Sequence, residues 1–179
     1  MKKPAQSGAP AVLTCALPRD SQIIKALPGE DFADCYQLAD QWSHLSALET
    51  FLELTSHTPG WMNALMSVRN QMVRLVGLKH LGAMRAQAAS KPANKYQVGA
   101  RIGIFTLEQL LPDEVIAGDD DKHLHVRVSL FKHSVAGKPV VSISTVVHIH
   151  NTLGHCYMAI VGPVHKLIVP LMLAQVARG

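Results

Sequence analysis

Two runs of period-two alternation constrain the fold of this chain more than any other feature. Between His123 and Leu130 the even-numbered residues are Leu or Val, and the odd-numbered residues are His, Arg or Ser. Between Val141 and His150 the pattern recurs with the opposite parity. Such alternation places apolar side chains on one face of a β-strand. Because a short loop over residues 134–138 joins the runs, they predict an antiparallel hairpin with one buried face.

The register of this hairpin follows from the same pattern. Directly opposed residues share a face, so apolar residues have to oppose apolar residues. The register that satisfies this pairs Leu124 with Ile149, Val126 with Val147, and Leu130 with Ile143. It also places four imidazoles together on the other face, those of His123, His125, His148 and His150.

Opposed histidines of this kind suggest a metal site, since their Cβ atoms lie about 5 Å apart and imidazole is a zinc or nickel ligand. The alternative is a polar, solvent-facing sheet surface on which histidine is tolerated. No carboxylate is evident on the same patch to orient the rings. We therefore predict no physiological metal and no cofactor, and expect nickel to bind this face during purification more readily than any native ion.

The remaining segments predict further strands and helices. Residues 1–28, rich in Pro, Gly, Ala and Ser, predict a poorly structured tail and lead-in, and residues 29–179 a single domain. A first strand over 31–39 alternates imperfectly, with Phe32, Tyr36 and Leu38 apolar. Two short strands are predicted over 100–107 and 113–117, so that about five strands are expected in all.

Two helices are predicted after the first strand. One is capped by Asp40 or Ser43 and carries the apolar stripe Leu45, Leu48, Phe51 and Leu52. The other begins at Thr58 and Pro59, and its stripe is Trp61, Leu65, Val68, Met72, Leu75 and Val76.

The C-terminal stretch predicts a long helix capped by Asn151 and kinked at Gly162–Pro163. Apolar residues surround it nearly completely, which predicts that it is buried nearly all round, with an antiparallel sheet curved about it. His165, Lys166 and Pro170 lie near its middle, where charge and helix breakers are most costly in a bilayer. A core helix is therefore favoured over a membrane span, and the fold class is α+β.

Composition narrows the function classes without choosing one. Hydrophobic residues make up 48% of the chain and charged residues 17%, against about 25% charged in typical domains. This favours a large core, a lined cavity or a buried oligomer face. The charge of +4 is unclustered and aromatic residues are 5%, which argues against nucleic-acid binding. Three dispersed cysteines without a C-x-x-C motif argue against a disulfide framework, and they predict a reducing, cytoplasmic location.

Three segments resemble a bacterial family of unknown function that also occurs fused behind atypical short-chain dehydrogenase domains. They are Asp121-Lys-His-Leu-His-Val-Arg, then Thr145-Val-Val-His-Ile-His-Asn with Leu153, Gly154 and Tyr157, and finally Pro163-Val-His-Lys-Leu-Ile. The order of elements is similar to that of the helix-grip superfamily of START-like lipid-transfer and polyketide-cyclase-like proteins. The resemblance spans roughly residues 30–176. It implies a cavity between sheet and final helix, often for an apolar ligand, and no assigned activity.

The leading functional hypothesis is a module that binds a small molecule or lipid, with Trp61, Tyr157 and His165 as its polar or aromatic ligand contacts. Each of these is also compatible with ordinary packing. A second hypothesis is a cyclase- or hydro-lyase-like enzyme that uses His165 or His155 as general acid or base. A third is an interaction domain that forms a homodimer or docks a dehydrogenase partner. No common catalytic motif is present, so catalytic residues stay unassigned.

Overall fold

One antiparallel sheet of seven strands dominates the computed structural model, which describes residues 11–56 and 92–178. The strands are β1 (Leu13–Thr14), β2 (Phe32–Ala39), β3 (Arg101–Ile102), β4 (Phe105–Leu110), β5 (Glu114–Asp120), β6 (Leu124–Val135) and β7 (Lys138–Ile149). The helices of the described residues are α1 (Ala47–Ser56), α2 (Thr152–Val176) and the 3-10 turns η1 (Gln22–Ala26) and η2 (Ala93–Lys95). The predicted α+β class is confirmed, and the predicted helix starting at Thr58 lies outside the described residues.

The spatial strand order is β1-β2-β7-β6-β5-β4-β3. The hairpin register predicted for β6 and β7 is confirmed, including His125 opposite His148. Ala136 and Gly137 connect the two strands with φ values of 50° and 75°, the left-handed geometry of a tight two-residue hairpin turn. The expected count of five strands was too low for two reasons. β1 is only two residues long, too short to show any alternation, and the single strand predicted over 100–107 is divided into β3 and β4.

The main core lies between one face of the sheet, α1 and the C-terminal half of α2. We call this face the helix face. It contributes Tyr36, Leu38, Leu107, Val115, Ala117, Leu130, Val141 and Ile143, against Leu48, Phe51, Val169 and Leu173 from the helices.

The opposite face is covered by the N-terminal segment, contrary to the expectation of a solvent-facing surface and of a poorly structured lead-in. Ile23 of η1 packs with Ile116 and Val146 of the sheet, and all three are buried. Serines that the alternation placed in solvent, such as Ser129 and Ser144, are buried as well. The described part of the lead-in is therefore a second layer on the sheet.

The first helix begins later than the sequence suggested. Ser46 and Glu49 form a reciprocal capping box, in which the Ser46 hydroxyl accepts from the Glu49 amide at 3.2 Å and a Glu49 carboxylate oxygen accepts from the Ser46 amide at 2.8 Å. The Ser46 amide and the Ser46 hydroxyl both donate to the Glu49 carboxylate, and these two hydrogen bonds lower the pKa of Glu49. Asp40, one of the two predicted caps, instead lies 3.2 Å from the ammonium group of Lys132.

The long helix α2 is capped by Asn151 as predicted, since its side chain accepts from the Gly154 amide. Burial nearly all round was wrong, because α2 meets the sheet with one side only. Within the described residues, four large apolar side chains of α2 remain exposed: Ile160 (54%), Val164 (42%), Leu167 (64%) and Leu171 (55%). By length and composition α2 could cross a membrane, and 17% of its most apolar window is buried.

Candidate functional site

Strand β2 directs three functional side chains toward the middle of α2. Phe32, Asp34 and Tyr36 are separated by two residues each, so they share the helix face of the sheet. Across the interface, His165 lies one turn from Val169, which joins the core. We call the group Phe32, Asp34, Tyr36 and His165 the β2–α2 site.

A carboxylate–imidazole pair is the centre of the β2–α2 site. Asp34 Oδ2 lies 3.0 Å from His165 Nδ1, and the two side chains are 6% and 26% exposed. A carboxylate accepts and does not donate, so Nδ1 carries the hydrogen and Nε2 is left as the second functional nitrogen. The other carboxylate oxygen, Asp34 Oδ1, is buried without a hydrogen-bond partner among the described residues.

Aromatic groups enclose this pair. The Phe32 ring meets the His165 ring edge-on with centroids 5.7 Å apart, and the Lys166 ammonium lies 5.3 Å from the Phe32 centroid. The Tyr36 hydroxyl donates to the Lys166 carbonyl at 3.3 Å. Burial raises the pKa of Tyr36 to about 12, and the nearby Asp34 carboxylate adds to the shift. The phenol is therefore a neutral hydrogen-bonding group at physiological pH.

Of the three ligand contacts suggested by the sequence, the structure describes two, His165 and Tyr157, and these two lie apart. His165 faces the sheet and joins the β2–α2 site. Tyr157 is half-buried on the same helix, eight residues and so about 12 Å along the axis from His165. Trp61 lies outside the described residues. His155, the other candidate acid–base group, is exposed.

Asp34 and Tyr36 were missed as site residues, although the sequence held a signal. The apolar series Phe32–Tyr36–Leu38 is interrupted because Asp34 occupies the second of the four positions on this face. A charged residue in an apolar series of a strand needs a buried partner. Which residue supplies that partner depends on where α2 crosses β2, and no local pattern reports this crossing.

The four predicted histidines do not converge on one point. His125 Nε2 lies 2.9 Å from Glu108 and His148 Nε2 lies 3.3 Å from the Pro28 carbonyl. His123 Nδ1 contacts Asn151 at 3.1 Å. The expectation that no carboxylate lies on this patch was wrong, since Glu108 orients His125 and also accepts from Arg127 at 2.8 Å. Over residues 11–56 and 92–178, no group of three or more His, Cys, Asp or Glu could hold a metal ion.

The described residues form an antiparallel sheet with a long C-terminal helix packed across one face. This architecture is consistent with the helix-grip fold. The chain belongs to the DUF2867 family of proteins of unknown function, whose model matches residues 26–172. Neither the curated proteins nor the solved structures contain a significant match to it.

Proposed function

We propose that this domain binds a small, largely apolar molecule between β2 and α2, with the β2–α2 site as the polar end of the binding site. The observation that carries the proposal is Asp34, whose carboxylate is 6% exposed while Oδ1 lacks a hydrogen-bond partner. Leaving a buried acceptor unpaired costs roughly 1–3 kcal/mol. A bound hydroxyl or amino group would recover that free energy by donating to Oδ1.

The surrounding groups fit the same kind of ligand. Nε2 of His165 and the Tyr36 hydroxyl add hydrogen-bonding capacity within one strand–helix crossing. Phe32 supplies an apolar wall, and the helix-face residues Val126 and Val128 are half-buried rather than fully covered. An apolar body with a few placed polar contacts is typical of small-molecule sites.

Native mass spectrometry of untagged full-length protein, purified without metal-affinity resin, tests this proposal. We expect wild-type protein to carry an additional drug-sized mass. Asp34→Asn should lower its occupancy because the amide offers a donor where the ligand needs an acceptor. His155→Gln, on the exposed side of α2, is the matched control and should keep the mass.

Two outcomes would contradict the binding proposal. One is a bare chain mass in the wild type. The other is equal ligand occupancy in wild type and Asp34→Asn together with a large fall in the urea midpoint of the variant. The second result would make the Asp34–His165 pair a structural link between sheet and helix.

An enzyme of the cyclase or hydro-lyase kind is a further use of the same site. Such chemistry requires a ligand-sized pocket with an imidazole that points into it, and the orientation of His165 toward buried Asp34 supports the second part of this requirement. A carboxylate on Nδ1 fixes the tautomer and leaves Nε2 to accept a proton from a substrate. If the ligand found by mass spectrometry is converted on incubation, His165→Gln should stop the conversion, and the bound mass should still be detected at reduced occupancy.

Self-association is a second candidate function, and the side of α2 that faces away from the sheet favours it. Its exposed residues Ile160, Val164, Leu167 and Leu171 follow the spacing four, three, four, which is the seam of a two-helix coiled coil. We call them the α2 seam, and we propose a second copy of this chain as its partner. The seam spans residues 160–171 of the 25-residue helix, so a dimer through it would bury apolar surface along about 18 Å of each α2.

Sedimentation velocity tests the dimer. We expect wild-type protein to sediment as a dimer at micromolar concentration and the double variant Leu167→Gln/Leu171→Gln as a monomer. Leu13→Gln is the control, because Leu13 is equally exposed at 58% but lies on β1. A wild type that stays monomeric, or a double variant that stays dimeric, would refute this use of the α2 seam.

A further inference from the structure

Two cysteines that are twenty residues apart in sequence meet at the edge of the sheet. Strand β1 pairs with β2 so that Leu13 opposes Gln37 and Thr14 opposes Tyr36. The same register brings Cys15 opposite Cys35, and the Cys15 amide donates to the Cys35 carbonyl at 3.1 Å. The sulfur atoms lie 3.3 Å apart as free thiols. The dispersed positions of the cysteines gave no indication of this contact.

Backbone geometry at this position suits a disulfide. Directly opposed residues of antiparallel strands have Cα atoms about 4.5–5.5 Å apart, within the range of about 4.4–6.8 Å that a disulfide accepts. Closing the bond needs the sulfur atoms to approach by roughly 1.3 Å, to the usual length of about 2.0 Å. Side-chain rotation supplies a movement of that size without displacing either strand.

The two thiols differ in access. Cys15 is partly exposed, whereas Cys35 is 1% exposed and accepts from the Ser144 hydroxyl at 3.2 Å. Burial raises the pKa of Cys35 to about 12. Cys15 is therefore the thiol that meets an oxidant from solution. Cys35, with its sulfur 3.3 Å from that of Cys15, is placed to resolve the sulfenic acid formed there.

We propose that Cys15 and Cys35 form a redox-sensitive pair, which peroxide converts to a disulfide that ties the N-terminal strand to β2. Cys15 sulfur attacks a peroxide oxygen, the O–O bond breaks, and water leaves with formation of a sulfenic acid. Cys35 sulfur then attacks the Cys15 sulfur, the S–O bond breaks, and the Cys35 proton leaves with the hydroxide as a second water. Two thiols and one hydrogen peroxide thus yield one disulfide and two waters.

The location gives this bond a consequence for the rest of the molecule. Cys35 lies between Asp34 and Tyr36 on β2, with its side chain on the face opposite to theirs. A covalent link at Cys35 would fix the edge of the sheet directly behind the β2–α2 site. Oxidation would thereby couple the N-terminal segment to the strand that carries the site.

Peptide mapping of the folded full-length chain after hydrogen peroxide treatment tests the inference. We expect a single disulfide that joins the Cys15 and Cys35 peptides, a fall from three free thiols to one, and full reversal by dithiothreitol. Cys156→Ser removes the exposed third thiol and should leave the link intact. Cys15→Ser should abolish the link and leave Cys35 as a thiol.

The result that would overturn the inference is oxidation of Cys156 while both Cys15 and Cys35 remain thiols. Conversion of Cys15 to sulfinic or sulfonic acid without a link to Cys35 would also overturn it, because a thiol 3.3 Å away should resolve the sulfenic acid first. Repeating the reaction in urea separates native geometry from chance collision. There, links that include Cys156 should appear beside the native one.

Discussion

Lys132 lies on the helix face of β6, the same face as Leu130, and is directly opposite Val141 of β7. Its Nζ donates to the carbonyls of Trp42 and Leu45 at 2.6 and 2.7 Å and lies 3.2 Å from Asp40. Side-chain exposure is only 13% for Lys132 and 5% for Asp40. This network fixes the loop that leads into α1.

Replacing Lys132 should be strongly destabilising. Lys132→Met removes the positive charge and leaves the buried Asp40 carboxylate without a countercharge, for which we expect a loss of about 3–5 kcal/mol. Urea unfolding gives the measurement. Lys138→Met, at the exposed start of β7, is the control and should change stability by less than about 0.5 kcal/mol. Similar losses for both variants would show that the network contributes little.

Tyr36 makes stability sensitive to alkaline pH. Its pKa is raised from 10 to about 12 in the folded protein, so the folded state retains a proton that the unfolded chain releases. The contribution of Tyr36 to the free energy of unfolding is complete below pH 10 and is lost as the pH rises toward 12.

Tyr36→Phe should therefore flatten the alkaline limb of the stability curve. Between about pH 9 and 11.5 the wild type should lose roughly 2 kcal/mol more than the variant does. Urea midpoints at a series of pH values give both curves, and the comparison concerns slope because the variant also lacks one hydrogen bond at every pH. Parallel curves would mean that Tyr36 ionises equally in both states.

The elements differ in how fully the sequence defines them. The β6–β7 register was predictable because both strands are long and their alternation is regular, as in the pairing of Leu124 with Ile149. The side of α2 that meets the sheet was not, because a helix apolar on every side gives no direction of burial. The same contrast holds for the β2–α2 site. Asp34 was visible as a break in the apolar alternation of β2, whereas its pairing with His165 depends on where α2 crosses β2.

The space around two glycines of α2 shows how closely the helix packs against the sheet. A Cβ on Gly154 would collide with the backbone carbonyl oxygen of His123 and lie 2.7 Å from Ile149 Cγ2. A Cβ on Gly162 would find the Phe32 ring at 3.6 Å, an ordinary van der Waals distance. The N-terminal turn of α2 is thus in direct backbone contact with the sheet, and its middle has room for a methyl group.

The same substitution should therefore act with opposite sign at the two positions. Gly162→Ala should stabilise the protein by about 0.5–1 kcal/mol, the usual gain in helix propensity. Gly154→Ala should destabilise it by about 1–3 kcal/mol, because a backbone oxygen cannot move away as a flexible side chain can. Thermal unfolding of both variants gives the test. A gain in both would place the start of α2 farther from β6 than the structure does.

At the scale of the whole molecule, Glu114 joins the N-terminal segment to the sheet. The carboxylate is 1% exposed and accepts from the hydroxyls of Ser21 and Ser129, each at 2.5 Å, and from the Gln22 amide at 2.7 Å. Three donors from two layers therefore meet one buried charge. The segment around η1 should unfold together with the sheet.

Glu114→Gln tests this cooperativity. The amide replaces an acceptor oxygen by a donor, so we expect a loss of about 2–3 kcal/mol. Hydrogen exchange at the Gln22 amide should become faster than exchange in β6 and β7. Glu49→Gln is the control, since glutamine also serves in a capping box. If the Gln22 amide exchanges early already in the wild type, the N-terminal segment opens independently of the sheet.

The strand order has a consequence for how the chain reaches its native state. β2 lies near the N-terminus, yet its neighbour in the sheet is β7, with Phe32 beside Val147. Contacts across so long a sequence separation slow folding, because the entropy of closing the loop is lost before the contacts form. On the ribosome, β2 has to wait for β7 to be synthesised, and His165 emerges later still. Asp34 thus acquires its partner only after α2 has been synthesised, and until then the edge of β2 that pairs with β7 is open to chaperones.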